Sequence, residues 1–259
     1  MNLKLSEHIR KITIPIHLLA IVIIILTYKG YLNADWLPVF FIGWILISGY
    51  GIAIGYHRLI SHYAFHTSPQ IRDILAYLGC LGGQGSPLFW AAVHRGSHHL
   101  YADTDKDLHS PIHGKFHSYI GWQFTLNAAQ VPFRSTVDLM KIQSIVFLHK
   151  HYYKVYYATF FILLAIKPEL ALYGMILPSV VSMHQENCVD LFCHLSSFGY
   201  RNFETKDLSR NIFLIGYLGF GQGWHNNHHH NANTYDYGYN WYEFDICKIL
   251  VLPLLRKKI

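Results

Sequence analysis

Three histidine clusters set among apolar runs long enough to cross a membrane constrain this chain more than any other feature. They read His57-Arg-Leu-Ile-Ser-His62, His94-Arg-Gly-Ser-His98-His99 and His225-Asn-Asn-His228-His229. Neutral imidazole is the commonest protein ligand for transition metals, so eight histidines in three tight groups beside apolar helices imply a metal centre at a membrane surface. The clusters come from both ends of the sequence, and a site that ties them together makes residues 1–259 a single domain.

Hydrophobic residues make up 52% of the chain and charged residues 14%, against about 45–50% and about 25% in an ordinary soluble domain. The apolar residues are gathered into blocks, which is a membrane pattern. The net charge of +6 comes partly from Lys4, Arg10 and Lys11 at one end and Arg256, Lys257 and Lys258 at the other, places suited to anionic lipid headgroups. Nucleic acid is excluded as a partner, because no basic stripe with interleaved aromatics is present. Cys80, Cys188, Cys193 and Cys247 show no CxxC spacing and read as small core residues. The basic start followed by an apolar run resembles a signal peptide, but no small-residue cleavage site follows, so it reads as the first membrane helix.

Apolar blocks at about 12–31 and 36–56 each approach the roughly 20 residues that span a bilayer core. The short turn at 29–35 makes them a hairpin that delivers His57 and His62 where the apolar run ends. A second hairpin is expected from blocks at about 155–166 and 170–191, broken by Lys167-Pro168-Glu169. Tyr152, Tyr153, Tyr156 and Tyr157 suit an interfacial belt. The charge-rich stretch 68–151 between the hairpins puts both termini and all three clusters in the cytoplasm by the positive-inside rule. Segments 71–92 and 211–220 are apolar but interrupted. They read as interfacial or cap-buried helices, with a fifth crossing the alternative for the first.

On an ideal helix, His94 and His98 are four apart and stack on one face, with His99 about a quarter turn away, so this segment could serve two metals. His225, His228 and His229 repeat the arrangement. His57 and His62, five apart, diverge by well over about 100° on an ideal helix, so they need a helix end or serve different metals.

These residues and their neighbours resemble the integral-membrane fatty acyl desaturases, the group of acyl-CoA (stearoyl-CoA type) enzymes and cyanobacterial acyl-lipid relatives. The resemblance runs from about Gly55 to Asp245 through Gly55-Tyr-His-Arg-Leu-Ile-Ser-His62, Trp90-x-x-x-His94-Arg, Asp103-Thr-Asp, Asp107-x-His-Ser-Pro111, Ile120-Gly-Trp122 and Gly223-Trp-His-Asn-Asn-His-His229. It implies an all-α membrane protein with four transmembrane helices in two hairpins (about 12–56 and 155–191). A cytosolic helical cap (about 57–154 and 192–259) would hold two iron ions. It also implies a ninth ligand, His194, giving the set His57, His62, His94, His98, His99, His194, His225, His228 and His229. Four residues before His194 the family has an asparagine that reaches one metal through water; here it is Asp190, which could ligate iron, lower its potential or hold a water as a base. The second cluster also has three intervening residues where acyl-CoA desaturases usually have two.

An unactivated methylene has no acidic proton, so removing its hydrogen requires an oxidant made from dioxygen at a metal. By resemblance, each turnover uses dioxygen and two external electrons to leave a cis double bond in a long saturated acyl chain carried on CoA, acyl carrier protein or a lipid. A separate ferredoxin, or a cytochrome with its reductase, is the expected donor. Ligand histidines usually donate their second N–H to an outer partner, for which Asp103, Asp105, Asp107, Glu186, Asp245, His109 and Asn226 are candidates. Arg58 and Arg95 are expected to orient carboxylates or attract an anionic carrier headgroup. Trp90, Trp122 and Trp224 are candidates for an acyl tunnel or for plain core packing. His8, His17, His66, His113, His117, His149 and His151 lack paired spacing and read as surface or hydrogen-bonded residues; His184 stays open and His230 reads as a spare. Two rivals stand beside desaturation: a di-iron acyl hydroxylase or acetylenase, and, from another class, a membrane metal-binding or transport protein. A transporter places its ligands near the bilayer midplane, whereas these lie at helix ends and in the cap.

Overall fold

The computed structural model describes residues 6–255; the basic residues Lys4, Arg256, Lys257 and Lys258 lie outside the described residues. Among the described residues the chain is helical, with two isolated bridges (Tyr200 with Asn211, Asn211 with Trp224) and no named strand. Two helices are long and apolar enough to cross a membrane, α1 (Ile9–Tyr28) and α2 (Ala34–Ser61). The expected interfacial stretch breaks into α3 (Pro69–Cys80) and α4 (Pro87–Val93), the latter running on through His94–His98 to Tyr101. Ser68 and Ser86 accept from the backbone N–H of Ile71 and Phe89, and Pro69 and Pro87 occupy the first turns, so both helices start where hydroxyl and proline dictate.

Downstream come α5 (Trp122–Thr125), α6 (Gln143–Lys150) and α7 (Tyr152–Ile166). Extended Lys167 then turns the chain into α8, which runs from Pro168–Ala171 without a break through Leu177–Phe192. The cap closes with α9 (Phe213–Leu218), α10 (His225–His230) and α11 (Ile246–Val251).

Helix α8 is the shared partner of α1 and α2, and α3 lies antiparallel along α2. Glycine makes both approaches possible. A Cβ on Gly43 would sit 2.1 Å from the Gly174 carbonyl oxygen, and one on Gly51 would sit 2.6 Å from the backbone of Leu78. Close helix approach through small residues is the usual device where apolar burial from water cannot drive association. Polar side chains tie the same contacts: His17 Nε2 lies 3.1 Å from His184 Nε2, and Gln185 accepts from Trp44 and Ser48. This frame fixes the ends of α2, α4 and α8, and the histidines sit there.

Candidate metal centre

The structure collects all nine expected histidines into two groups. His57, His62, His94, His99 and His228 form one; His98, His194, His225 and His229 form the other. Within each group the facing donor atoms all lie within 4.8 Å of one another. The division differs from an ideal-helix reading. His62 N–H bonds to the His57 carbonyl at 3.2 Å, and His99 N–H bonds to that of His94, so both segments are wound with i→i+5 turns. Such a turn brings residues five apart closer to one face than an α-helical turn does. His57 and His62 therefore share a group, and His94 pairs with His99, while His98 turns to the other group. The third cluster is ordinary α-helix, so His225 and His229, four apart, face together and His228 points to the five-histidine group.

The outer ring nitrogens decide what these groups can hold. His98 Nδ1 faces Asp107 at 3.1 Å, His194 Nδ1 faces Asp103 at 3.0 Å and His229 Nδ1 faces Asp207 at 2.9 Å. A carboxylate only accepts, so each facing Nδ1 carries the proton and, in a neutral ring, Nε2 keeps its lone pair. Yet His98 Nε2 and His229 Nε2 stand 3.1 Å apart. Two lone pairs at that distance repel unless a cation lies between them, and neutral nitrogen donors suit a transition metal. Protonating His229 instead is opposed by burial, which pushes it down to about 4 even beside Asp207. Burial likewise lowers His62 to about 3 and holds His94, His99, His225 and His228 well below the usual histidine range. Burial alone would raise Asp107 and Asp207, but His109 and His98 for the first, and His229 for the second, outweigh it and keep both carboxylates ionised. The donor set thus fits metal ions.

Of the other expected residues, Asp103 and Asp107 bond directly to grouped histidines, while Glu186 reaches His57 through Gln222, whose Nε2 lies 3.0 Å from the Glu186 carboxylate. His109 packs on His98 with ring centroids 4.7 Å apart. Asp190 is not among the converging donors; its carboxylate lies beside the groups, 3.7 Å from His109 Nδ1. Asp105 is exposed. Of the two roles expected for Arg58, the structure agrees with the carboxylate partner: it is fully buried, paired with Asp245 at 2.8 Å and stacked 3.9 Å over Tyr237, away from any carrier headgroup. Asp245 is accordingly the partner of Arg58 and of two backbone N–H groups. Arg95 binds the carbonyls of Ile60 and Ser61 at the end of α2 and the carboxylate of Asp138. Asn226 is corrected to a loop anchor, bonded to Asn202 and Phe203.

Sequence reasoning missed Asp207 and Gln222. Neither sits at a spacing that marks it, because both reach their histidines across long chain separations.

A cavity of about 310 Å³ opens against both groups, touching His57, His94, His98 and His225. Its apolar wall includes Phe89, Trp90, Val93, Trp122, Leu126, Val131 and Phe133. Trp90 stacks on His94 at 4.7 Å. Trp224, a tunnel candidate by sequence, is instead sealed in the cap, donating to the Phe244 carbonyl.

Comparison with known proteins matches this architecture to a family. The fatty acid desaturase family model matches residues 34–257. The chain is 35% identical over 206 residues to an sn-1 stearoyl-lipid 9-desaturase of Anabaena variabilis, covering 78% of this chain and 74% of that one. It is 30% identical to Delta-9 acyl-lipid desaturase 2 of Arabidopsis thaliana (79% and 67% covered). It is also 30% identical to a hex-5-enoyl-[acyl-carrier protein] acetylenase of Moorena producens (82% and 72%). The chain therefore belongs to the fatty acid desaturase family, whose members are oxygen-dependent oxidoreductases.

Proposed function

We propose that the protein introduces a cis double bond into a long saturated acyl chain at a pair of irons. The converging lone pairs of His98 and His229, beside an apolar cavity that His98 itself lines, carry this reading. The five-histidine group would hold one iron and the four-histidine group the other. Bound there, the irons would supply the dioxygen-derived oxidizing power that no side chain has. A –CH2–CH2– unit, dioxygen, two electrons and two protons give –CH=CH– and two waters, so the electrons come from a separate ferredoxin or cytochrome.

The chain's own residues do the positioning. Asp103, Asp107 and Asp207 fix the rings of His194, His98 and His229, so the donor atoms need little rearrangement on binding. Trp90, Phe89 and Val93 give the alkyl chain an apolar wall beside both groups and exclude water from it. Orientation decides which adjacent carbons lose hydrogen.

In the same reading α1, α2, α7 and α8 are the four membrane crossings, in two hairpins, with both termini and the histidine cap on the cytoplasmic side. Supporting this, the outer faces of α1, α2 and α7 expose large aliphatic and aromatic side chains such as Leu18, Ile24, Phe41, Ile42, Phe161 and Ile162.

Expression in a host unable to make unsaturated fatty acids tests the proposal. A new alkene, two hydrogens lighter than its precursor and located by mass spectrometry, is the expected product. The acetylenase relative gives a second reading weight, and a triple bond made from an already unsaturated chain would favour it. A product one oxygen heavier would replace desaturation with hydroxylation, and metal flux across vesicles without any lipid product would replace catalysis with transport.

A further inference from the structure

One acid at the wall of the cavity has a hydrogen-bond partner but no counter-charge. Glu186 on α8 borders the cavity. Among the described residues its carboxyl oxygens meet a single donor, Gln222 Nε2, at 3.1 and 3.0 Å, and no lysine or arginine lies within ion-pair distance. An acid beside an apolar space is costly, and a wall for an acyl chain has no use for one.

Its partner leads to the five-histidine group. Gln222 is buried, and its Oε1 accepts from His57 Nδ1. The turn that delivers it is strained, with Phe220 at φ +54° followed by Gly221 at φ +80°. A bulky residue stays in left-handed backbone only where its surroundings over-determine it. Here Arg58 Nη2 donates to the Phe220 carbonyl at 3.2 Å, and a Cβ on Gly221 would collide with the carboxylate of Asp245, the partner of Arg58. The buried ion pair thus holds the turn, and the turn holds Gln222 against His57.

The two ends of an amide are alike in size but opposite in hydrogen bonding. With Oε1 facing it, His57 Nδ1 carries the proton, and a neutral ring keeps its lone pair on Nε2, which points at His228 Nε2 2.9 Å away. Turned over, the amide would offer an N–H instead. His57 Nδ1 would then have to accept, and the ring proton would move to Nε2 and block a ligand. Both neighbours of the amide oppose that reversal. An acid oxygen of Glu186 accepts from Nε2 in either protonation state, while Arg58 Nη1, which can only donate, lies 3.5 Å from Oε1.

We propose that Glu186 is a positioning residue: by accepting from Gln222 Nε2 it fixes which end of the amide faces His57, and so keeps His57 in the tautomer whose Nε2 is free for a metal. The proposal rests on reading the two histidine groups as metal sites. It gives the five-histidine group an acid of its own, acting at one remove through Gln222.

The test uses the full chain in lipid nanodiscs, prepared free of metal and titrated with Co2+, followed by visible absorption and by competition with a chelator that resolves one phase per histidine group. Glu186→Met should weaken the five-histidine phase by about tenfold or more and leave the four-histidine phase in place. Glu186→Gln, whose amide oxygen still accepts from Gln222, should stay within about threefold of the parent. Gln222→Met should lose at least as much as Glu186→Met, and the double variant no more than Gln222→Met alone, because an effect that passes through Gln222 ends with it. Unchanged affinity in Glu186→Met, equal losses in the Met and Gln variants, losses that add in the double variant, or a loss spread over both phases would each overturn the proposal. A parent that binds no Co2+ removes the metal sites and this inference together. The expected Co2+ pattern in a protein that makes no alkene when loaded with iron would support the positioning role and count against the desaturase reading alone.

Discussion

The two histidine groups differ in what stands behind them. In the four-histidine group three of four rings lean on carboxylates, through Asp103, Asp107 and Asp207. In the five-histidine group, His57 instead has an amide partner, Gln222. A carboxylate behind an imidazole makes it a stronger donor, so four ligands of which three are so supported can match five of which one has an amide partner. The contrast teaches that donor count alone does not rank the sites.

The largest test of this comparison is removal of a ligand. His98→Ala and His228→Ala should each lower desaturation by more than about 100-fold. Metal analysis after dialysis against a chelator should show the greater loss in His98→Ala, which leaves three donors, than in His228→Ala, which leaves four. Equal retention would mean that the carboxylates remaining behind His194 and His229 make up for the smaller number of donors.

Next comes the buried pair behind the five-histidine group. Arg58→Met leaves buried Asp245 without its cation, and about 3–5 kcal/mol of stability should disappear in detergent unfolding. The double variant Arg58→Met with Asp245→Leu should recover much of it, because two apolar side chains leave no stranded charge. If the double variant is as unstable as the single, the pair acts by shape and not by charge.

Asp107→Asn and Asp207→Asn should weaken metal binding in the four-histidine group by about 10- to 100-fold and leave the five-histidine group unaffected. Chelator competition read as two separable phases measures this, and a uniform loss from both phases would contradict independent outer support. In the converse direction, Gln222→Glu puts a carboxylate behind His57 and should tighten the five-histidine group by about tenfold, narrowing the gap between the phases. The smallest change is expected from Asp190→Asn, below about threefold in kcat/KM, because Asp190 does not converge with the donors. A large loss there would make it a ligand and give the four-histidine group a fifth member.

Much of this was legible in the sequence. The apolar runs anticipate α1, α2, α7 and α8 to within a few residues, since burial from water is written into composition. The stretch 71–92, read only as apolar and interrupted, divides in the structure into α3 and α4. Eight of the nine converging histidines stood out in three short clusters, while the ninth, His194, came from the family resemblance and not from any spacing. Their partition was not legible in the sequence. An ideal helix pairs His94 with His98, whereas the wide turns of the folded segment pair His94 with His99. That winding is a property of the folded backbone which the local histidine spacing does not encode.

The sequence by itself determined the donors, the apolar segments that carry them and the chemistry that neutral nitrogen can support, because each is a property of residue type and local spacing. Only the tertiary structure decided which donors share a metal, which acids stand behind them and that Arg58 is a core cation. Those outcomes depend on contacts between residues more than a hundred positions apart, such as Arg58 with Asp245 and Asp103 with Leu208, and on the wide helix turns of the folded backbone.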